Sequence, residues 1–392
     1  MINFEFSLNT QIFFGRGTQL KTGELTAQYG KKVLIHYGSD RIKRNGILDE
    51  IVALLKKQNI EYIEFGGVNS NPDVELAQKG AELCKNKNID MILAIGGGSV
   101  IDSAKAIAIG ACSKKPIWEI YKNSLEVKEA LPIGVVVTMP ATASESNAMS
   151  VLSNYCVHEK RAFYCKNTLP KFAILNPEYT LSISTYNTAI AAIDIFSHAF
   201  ERYFDLRRKS LLWDSMCEAV MKVIIEIAPK LMDNPEDYQM RSELMWAASV
   251  AHNNMLGPGG DFTSHELSHI LTAEYGLPHG AALAIIMPAW CNYVLERHEN
   301  KFTEFAKNVW NVNDGEKAIE QFVQFIQQLA LPTNLKMAGI KDVDIDKLTS
   351  LAFKEENTVI GGGTEQINEE AAKMIFKIAS GQNADMLQNC NK

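Results

Sequence analysis

Three of the chain's eight histidines, His265, His269 and His279, fall within fifteen residues of one another. Upstream, Asp194 and His198 stand four residues apart in a run of helical periodicity, so both side chains leave the same face. Ile190, Ile193, Ile195 and Phe196 surround that pair, and a carboxylate buried among them would be costly without a compensating charge. A metal or another cation resolves the conflict. A single buried histidine is more often hydrogen-bonded than ligating, and only the recurrence of such residues makes these candidate ligands. His265-Glu266-Leu267-Ser268-His269 also spells H-E-x-x-H, in which two histidines hold zinc and the glutamate is a general base. The longer H-E-x-x-H-x-x-G-x-x-H form fails at Thr272, and a peptidase has no use for the phosphate-type loop described next. The peptidase reading is the weaker one, with Glu266, His252 and His298 expected to be structural.

That loop is Gly96-Gly97-Gly98-Ser99, which follows the apolar run Met91–Ile95 and opens a helical pattern. Glycines let a backbone approach a bulky anion, and the first N–H groups of a helix attract phosphate. Neither G-x-G-x-x-G nor a Walker A sequence is present. Ser99 and Asp102 also fit a capping box, in which case they would serve only the helix.

Both features need elements to position them. Up to about residue 178, strand candidates (Val33–Tyr37, Tyr62–Phe65, Met91–Ile95, Ile133–Thr138) alternate with helical stretches (Gly46–Lys57, Val74–Lys85, Val100–Cys112). This alternation predicts a mostly parallel sheet covered on both faces. After Pro177 the spacing is helical: Thr188–Phe204, Trp213–Leu231, Tyr238–Leu256, Thr263–Tyr275, Ala281–Leu295, Asn300–Val309, Glu316–Leu329 and Glu370–Ile378. Prolines including Pro229 and Pro332 punctuate this half, with Pro288 inside a kinked helix. Phe4–Phe6 and Ile12–Phe14 read as strands outside the alternation, an N-terminal hairpin or a pairing edge. The expected architecture is α/β plus all-α: a nucleotide-binding domain with a Rossmann-like parallel sheet over 1–180 and a helical domain carrying the candidate metal ligands over 181–392.

Composition narrows the function. The 392 residues carry 39 basic and 46 acidic side chains, a net charge of −7 that offers no field for a phosphate backbone, so nucleic acid is not the expected partner. Seven scattered cysteines without a C-x-x-C pair fit a reducing compartment. No secretory signal and no apolar run of about 20 residues is visible, so a cytoplasmic protein without a membrane span is expected.

Taken together, the motifs resemble the iron-containing (group III) alcohol dehydrogenases, in particular their NADP-dependent butanol dehydrogenase and aldehyde reductase branch. The resemblance covers nearly the whole chain. It runs through Gln11–Gly17 (QIFFGRG), Gly96–Lys105 (GGGSVIDSAK), Thr138–Asn147 (TMPATASESN), Leu169–Thr180 (LPKFAILNPEYT), Ala192–Phe204 (AIDIFSHAFERYF) and Gly260–His279 (GDFTSHELSHILTAEYGLPH). It implies a dehydroquinate-synthase-like fold and one divalent metal, Fe2+ or Zn2+, held by Asp194, His198, His265 and His279. His269 then stands beside the nicotinamide, as proton relay or positioning group rather than ligand. Gly97, Gly98, Ser99 and Asp102 would line the pyrophosphate and ribose, and Thr138, Asn147, Lys160 and Tyr179 match cofactor-contacting positions. Two departures are modest: Asn176 stands where aspartate is frequent, and Ala143 where glycine is common.

The loop Gly38-Ser39-Asp40-Arg41-Ile42-Lys43 carries a sharper departure. Asp40 would repel a 2′-phosphate, whereas Ser39, Arg41 and Lys43 could bind one. The cofactor reading leans to NADP, with NAD as the alternative. The implied substrates are short to medium primary alcohols and aldehydes of the butanol/butyraldehyde type, and a homodimer is expected. The competing readings are a dehydroquinate-synthase-like lyase, a non-catalytic nucleotide-binding protein, and the zinc peptidase.

Overall fold

The computed structural model describes residues 2–157, 159–354 and 358–381; Cys390 lies outside them. They form two compact units. One comprises Phe6–Ile183 and Glu236–Asn253; the other comprises residues 184–235, those described from Asn254 onward, and the N-terminal 2–5. The helix Tyr238–His252 therefore belongs with the sheet, although a division at residue 180 puts it in the other half.

In the first unit the strands are β1 (Gln11–Phe14), β2 (Lys32–Tyr37), β3 (Glu61–Phe65), β4 (Met91–Gly97), β5 (Ile133–Met139), β6 (Met149–Asn154), β7 (Glu159–Tyr164) and β8 (Phe172–Leu175). Six of them build one sheet in the order β1-β8-β5-β4-β2-β3, every pair parallel. Alternate residues explain why the strands read as unbroken apolar runs. Val33 and Ile35 pack with Ile47, Ile51 and Leu55 of the helix Ile47–Lys57. Leu34, Ile92 and Ala94 face Ala77, Ile101, Ala104 and Ile107 of the helices Val74–Lys87 and Gly98–Cys112. A sheet covered on both faces leaves no polar side for the alternation to mark.

Several expectations need correction. Residues 4–6 form no strand, and Phe4 packs edge-on against Trp213 at 5.0 Å between centroids. β1 is no hairpin arm: it joins the parallel sheet as the strand beyond β8. The antiparallel hairpin β6–β7 went unread, because Glu159, Lys160 and Arg161 on a half-exposed strand disguise the period. In the second unit the helices Thr185–Tyr203, Leu211–Asp233, Thr263–Tyr275, His279–Val294, Gly315–Gln328 and Glu369–Ser380 follow the predicted spans within a few residues. Pro229 lies inside a helix like Pro288 rather than ending one. The helix Ile345–Ala352 and the short hairpin Ile360–Gly361/Gln366–Ile367 also escaped the sequence reading. Fully buried Phe196, Phe200, Phe204, Trp290, Phe302, Phe305 and Phe322 make the aromatic core behind the helix Thr185–Tyr203. No helix among the described residues is long and apolar enough to cross a membrane.

His36 is the buried polar residue of β2. Its Nδ1 lies 2.8 Å from the Phe65 carbonyl and its Nε2 2.9 Å from Ser103 Oγ. Burial lowers its pKa from 6.5 to about 4, the Phe65 bond offsetting only part of the loss. Between those two values the unfolded chain binds the proton that the folded chain refuses, so stability rises with pH across the window. Unfolding free energies from urea titrations at pH 5 and pH 7 are expected to differ by on the order of 2 kcal/mol more in the wild type than in His36→Gln. Equal pH differences in the two proteins would contradict this.

Candidate active site

The helix Thr185–Tyr203 places Asp194 and His198 one turn apart, both buried, beside the aromatic core. The helix Thr263–Tyr275 brings His265 to them, and the ligand-type atoms of Asp194, His198 and His265 lie within 4.8 Å of one another. Asp194 Oδ1 is 3.7 Å from His198 Nδ1, 3.8 Å from His265 Nε2 and 3.7 Å from His279 Nε2. These distances are too long for hydrogen bonds. A tetrahedral ion with bonds of about 2.1 Å spaces its donors about 3.4 Å apart, close to what the cluster presents. His265 Nε2 is sealed from solvent and finds no hydrogen-bond partner among the described residues. One carboxylate and three imidazoles suit a divalent ion such as Zn2+ or Fe2+, so the residues fit a metal.

The other ring nitrogen of His265 meets the Glu201 carboxylate, which also accepts the His265 backbone N–H at 3.1 Å. Burial disfavours the charged ring, but Glu201 and Asp194 outweigh it and raise the His265 pKa to about 9. The field in this corner therefore favours a positive charge.

His279 opens the helix His279–Val294 and sits against Ser268, whose Oγ is 3.4 Å from Nδ1. Its position depends on Gly280: a Cβ there would lie 2.3 Å from the Ile190 carbonyl oxygen. His269, one turn beyond His265, has its ring 5.1 Å from that of His279. Glu266 accepts from Gly361 N–H at 3.2 Å, which ties it to the C-terminal hairpin. His298 is bonded to Glu365 at 3.0 Å, in keeping with a structural role.

In the sheet unit, β3 lies on one side of β2 and β4 on the other, so the strand order reverses between β2 and β4. In open α/β sheets ligands bind beyond the carboxyl ends of the strands at such a point. Gly38, Ser39 and Arg41 follow β2, while Gly97 ends β4 and Gly98 and Ser99 follow it. The helix begins at Gly98 with Gly97 as its N-cap, which rules out the capping box. Ser99 Oγ instead donates to the Ser70 carbonyl at 2.6 Å, and Asp102 accepts from Ser144 Oγ at 2.6 Å and from Val151 N–H at 2.9 Å. The glycines make room for protein as well: a Cβ on Gly98 would meet Thr142 Oγ1 at 2.4 Å, and one on Gly97 the Met139 carbonyl oxygen at 3.0 Å. The first-turn amides of a fifteen-residue helix remain a fitting anion site.

Other sequence-predicted cofactor residues divide into two groups. Thr138 is half-buried near the end of β5. Lys160 lies on β7, with Nζ 3.4 Å from Asn71 Oδ1. Asn147 donates to the carbonyls of Thr142 and His252, both at 3.2 Å, and accepts from Met149 N–H at 3.0 Å. The Tyr179 hydroxyl donates to Glu50 at 2.6 Å. The polar atoms of Asp102, Asn147 and Tyr179 are thus engaged with protein. After β2, Arg41 donates to Ser182 Oγ at 2.8 Å, while Lys43 lies 3.2 Å from Glu64 and 3.7 Å from exposed Asp40.

The two departures acquire reasons. Ala143 has φ +50°, a left-handed conformation that glycine adopts without strain. Buried Asn176 donates to Gln19 and Glu178 at 2.9 and 3.2 Å, which an aspartate could not do. Sequence reasoning missed Glu201, seven residues after Asp194 and so on its helical stripe, and Lys105. The buried Lys105 ammonium donates to Ser144 Oγ, both Asn147 oxygens and the Met149 carbonyl at 2.7–3.2 Å, pinning 144–149 against the helix that follows the turn. Burial lowers its pKa to about 8 against the pull of Asp102 and Glu145.

Comparison with known proteins gives two consecutive family matches. Residues 9–177 match the model described as iron-containing alcohol dehydrogenase, and residues 188–380 the one described as the Fe-containing alcohol dehydrogenase family, C-terminal. The chain is 36% identical to NADH-dependent butanol dehydrogenase A of Clostridium acetobutylicum over 96% of its length and 99% of that protein. It is 34% identical to the NADPH-dependent aldehyde reductase YqhD of Escherichia coli over 97% of its length and 100% of that protein. The crystal structure of NADH-dependent butanol dehydrogenase A from Thermotoga maritima superposes with a TM-score of 0.92 at 34% identity, covering 96% of this chain and 98% of that one.

Gly280 tests the packing that brings His279 to Asp194. Gly280→Ala is expected to lose about 1–3 kcal/mol in denaturant unfolding, because a backbone carbonyl cannot swing away as a side chain can. An unchanged midpoint would show that the two helices do not need this approach.

Proposed function

The chain belongs to the iron-containing alcohol dehydrogenase family, and on that premise we propose that Asp194, His198, His265 and His279 hold the metal of an NAD(P)-dependent alcohol dehydrogenase and aldehyde reductase. The reaction moves a hydride between nicotinamide C4 and the carbinol carbon of a short to medium primary alcohol, butanol to butyraldehyde in type, or runs in reverse. The carrying observation is the buried carboxylate at 3.7–3.8 Å from three imidazole nitrogens. When bound, Fe2+ or Zn2+ supplies Lewis acidity toward the substrate oxygen.

The chain's own residues do the rest. First-turn amides of the helix Gly98–Cys112 receive the cofactor pyrophosphate, with Gly97, Gly98 and Ser99 nearest and Gly38 and Thr138 beside them. Asp102, Asn147 and Tyr179 hold the surrounding segments through their protein partners, and Lys160 stands on β7 beside Asn71. The His269 imidazole takes or returns the proton of the alcohol, or holds the nicotinamide ring in place. The lyase and peptidase alternatives are not favoured: the relatives are dehydrogenases and reductases, and Glu266 is bonded to Gly361.

On the finer cofactor question the loop's charges weigh against the lean to NADP. Glu64 and Asp40 offset Lys43, and Arg41 is directed to Ser182, which leaves Ser39 the least committed donor for a 2′-phosphate. The loop therefore favours NADH.

Following absorbance with butyraldehyde as substrate, kcat/KM is expected to be higher with NADH, and Asp40→Ser to shift the ratio at least tenfold toward NADPH. A wild-type preference for NADPH would restore the NADP reading. Metal analysis of purified variants is expected to find His265→Ala and His279→Ala depleted, and His269→Ala loaded but poor in turnover. An empty site in His269→Ala would overturn this division of roles.

A further inference from the structure

We propose that Glu201 is a positioning residue that makes His265 a metal ligand, by holding the ring with its Nδ1–H toward the carboxylate and its Nε2 toward Asp194. The inference rests on the metal-site reading above and adds a residue to it. Asp194, His198 and Glu201 occupy positions i, i+4 and i+7 of the helix Thr185–Tyr203, one continuous stripe. Glu201 is 1% exposed, and its two oxygens accept the His265 backbone N–H and ring Nδ1–H.

An ionised carboxylate can only accept, so a neutral His265 ring facing it must carry its proton on Nδ1. That leaves the Nε2 lone pair as the remaining donor. Nε2 is buried, has no hydrogen-bond partner among the described residues, and lies 3.8 Å from Asp194 Oδ1. A ligand histidine whose other nitrogen is fixed by a carboxylate is both oriented and more basic.

Glu201 also has a bland role. The His265 N–H is a first-turn amide of the helix Thr263–Tyr275, and the Glu201 carbonyl accepts Asp261 N–H at 2.9 Å. A pure helix anchor would lower stability and leave metal affinity alone. A ring-positioning group lowers affinity in a protein that still folds.

Glu201→Gln separates the two, because an amide offers one acceptor where the carboxylate offers two. If the amide N–H2 meets Nδ1, the ring takes the Nε2–H tautomer, which cannot ligate. If the amide oxygen meets Nδ1, the helix amide loses its acceptor. The experiment strips metal from the wild type and Glu201→Gln, measures zinc Kd against a chromophoric chelator, and follows thermal unfolding of the metal-free proteins. Glu201→Gln is expected to bind zinc about 10–100-fold more weakly, with metal-free unfolding close to wild type. An unchanged Kd at an unchanged unfolding temperature overturns the proposal; an unchanged Kd with a lower one is the oxygen-to-Nδ1 orientation, and the NMR measurement below then decides.

Should Glu201→Gln fail to fold, 15N-histidine NMR of the zinc-loaded wild type decides. Its His265 signal, assigned by its loss in His265→Gln, is expected to show Nδ1 protonated and Nε2 ligated; ligation through Nδ1 overturns the proposal. A wild type that binds no zinc or iron would instead remove the metal reading itself.

Discussion

A carboxylate buried among imidazoles is the constraint around which the helical unit is arranged. Asp194 is 4% exposed, in a helix whose other face is packed with phenylalanine and tryptophan, and an unbalanced charge there would cost several kcal/mol. The helix starting at Thr263 answers that charge with His265, and the helix starting at His279 answers it with its first residue. Each depends on local packing. Gly280 permits the close approach to Ile190, and Glu201 grips both the backbone and the ring of His265. The cluster is therefore a property of three helices together.

The sheet unit meets a different demand with the same economy of parts. Its strand order reverses between β2 and β4, so the loops after those strands lie where an α/β sheet offers a binding crevice. Lys105 and Asp102 sit beneath the glycine-rich turn and bind the segment 144–151 to the helix that the turn begins. A buried ammonium with four oxygen partners makes that backbone costly to move.

Much of this was legible in the sequence because the relevant periods are strong. The apolar runs of β2, β4 and β5, and the i, i+4 pair Asp194/His198, are local patterns that survive folding unchanged. What stayed hidden depends on contacts distant in sequence. β1 pairs with β8 some 160 residues away, and no local pattern distinguishes that parallel edge from a hairpin arm. The Ser99/Asp102 spacing fits a cap, but the chain starts the helix two residues earlier and sends both side chains elsewhere. Glu201 looked like an ordinary acidic residue of an amphipathic helix. Its position seven after Asp194 was the available signal, and it gains meaning only with His265 beside it. The H-E-x-x-H string failed in the opposite way, as a pattern whose glutamate is held by Gly361.

The central claim is a single divalent ion held by Asp194, His198, His265 and His279. Anomalous diffraction from crystals of the purified protein, collected on both sides of the iron and zinc absorption edges, tests it most directly. One peak within about 2.2 Å of a donor atom from each of the four residues is the predicted result. A peak whose nearest protein atoms exclude Asp194 or His279, or a protein with metal bound elsewhere and none at this cluster, would contradict the account.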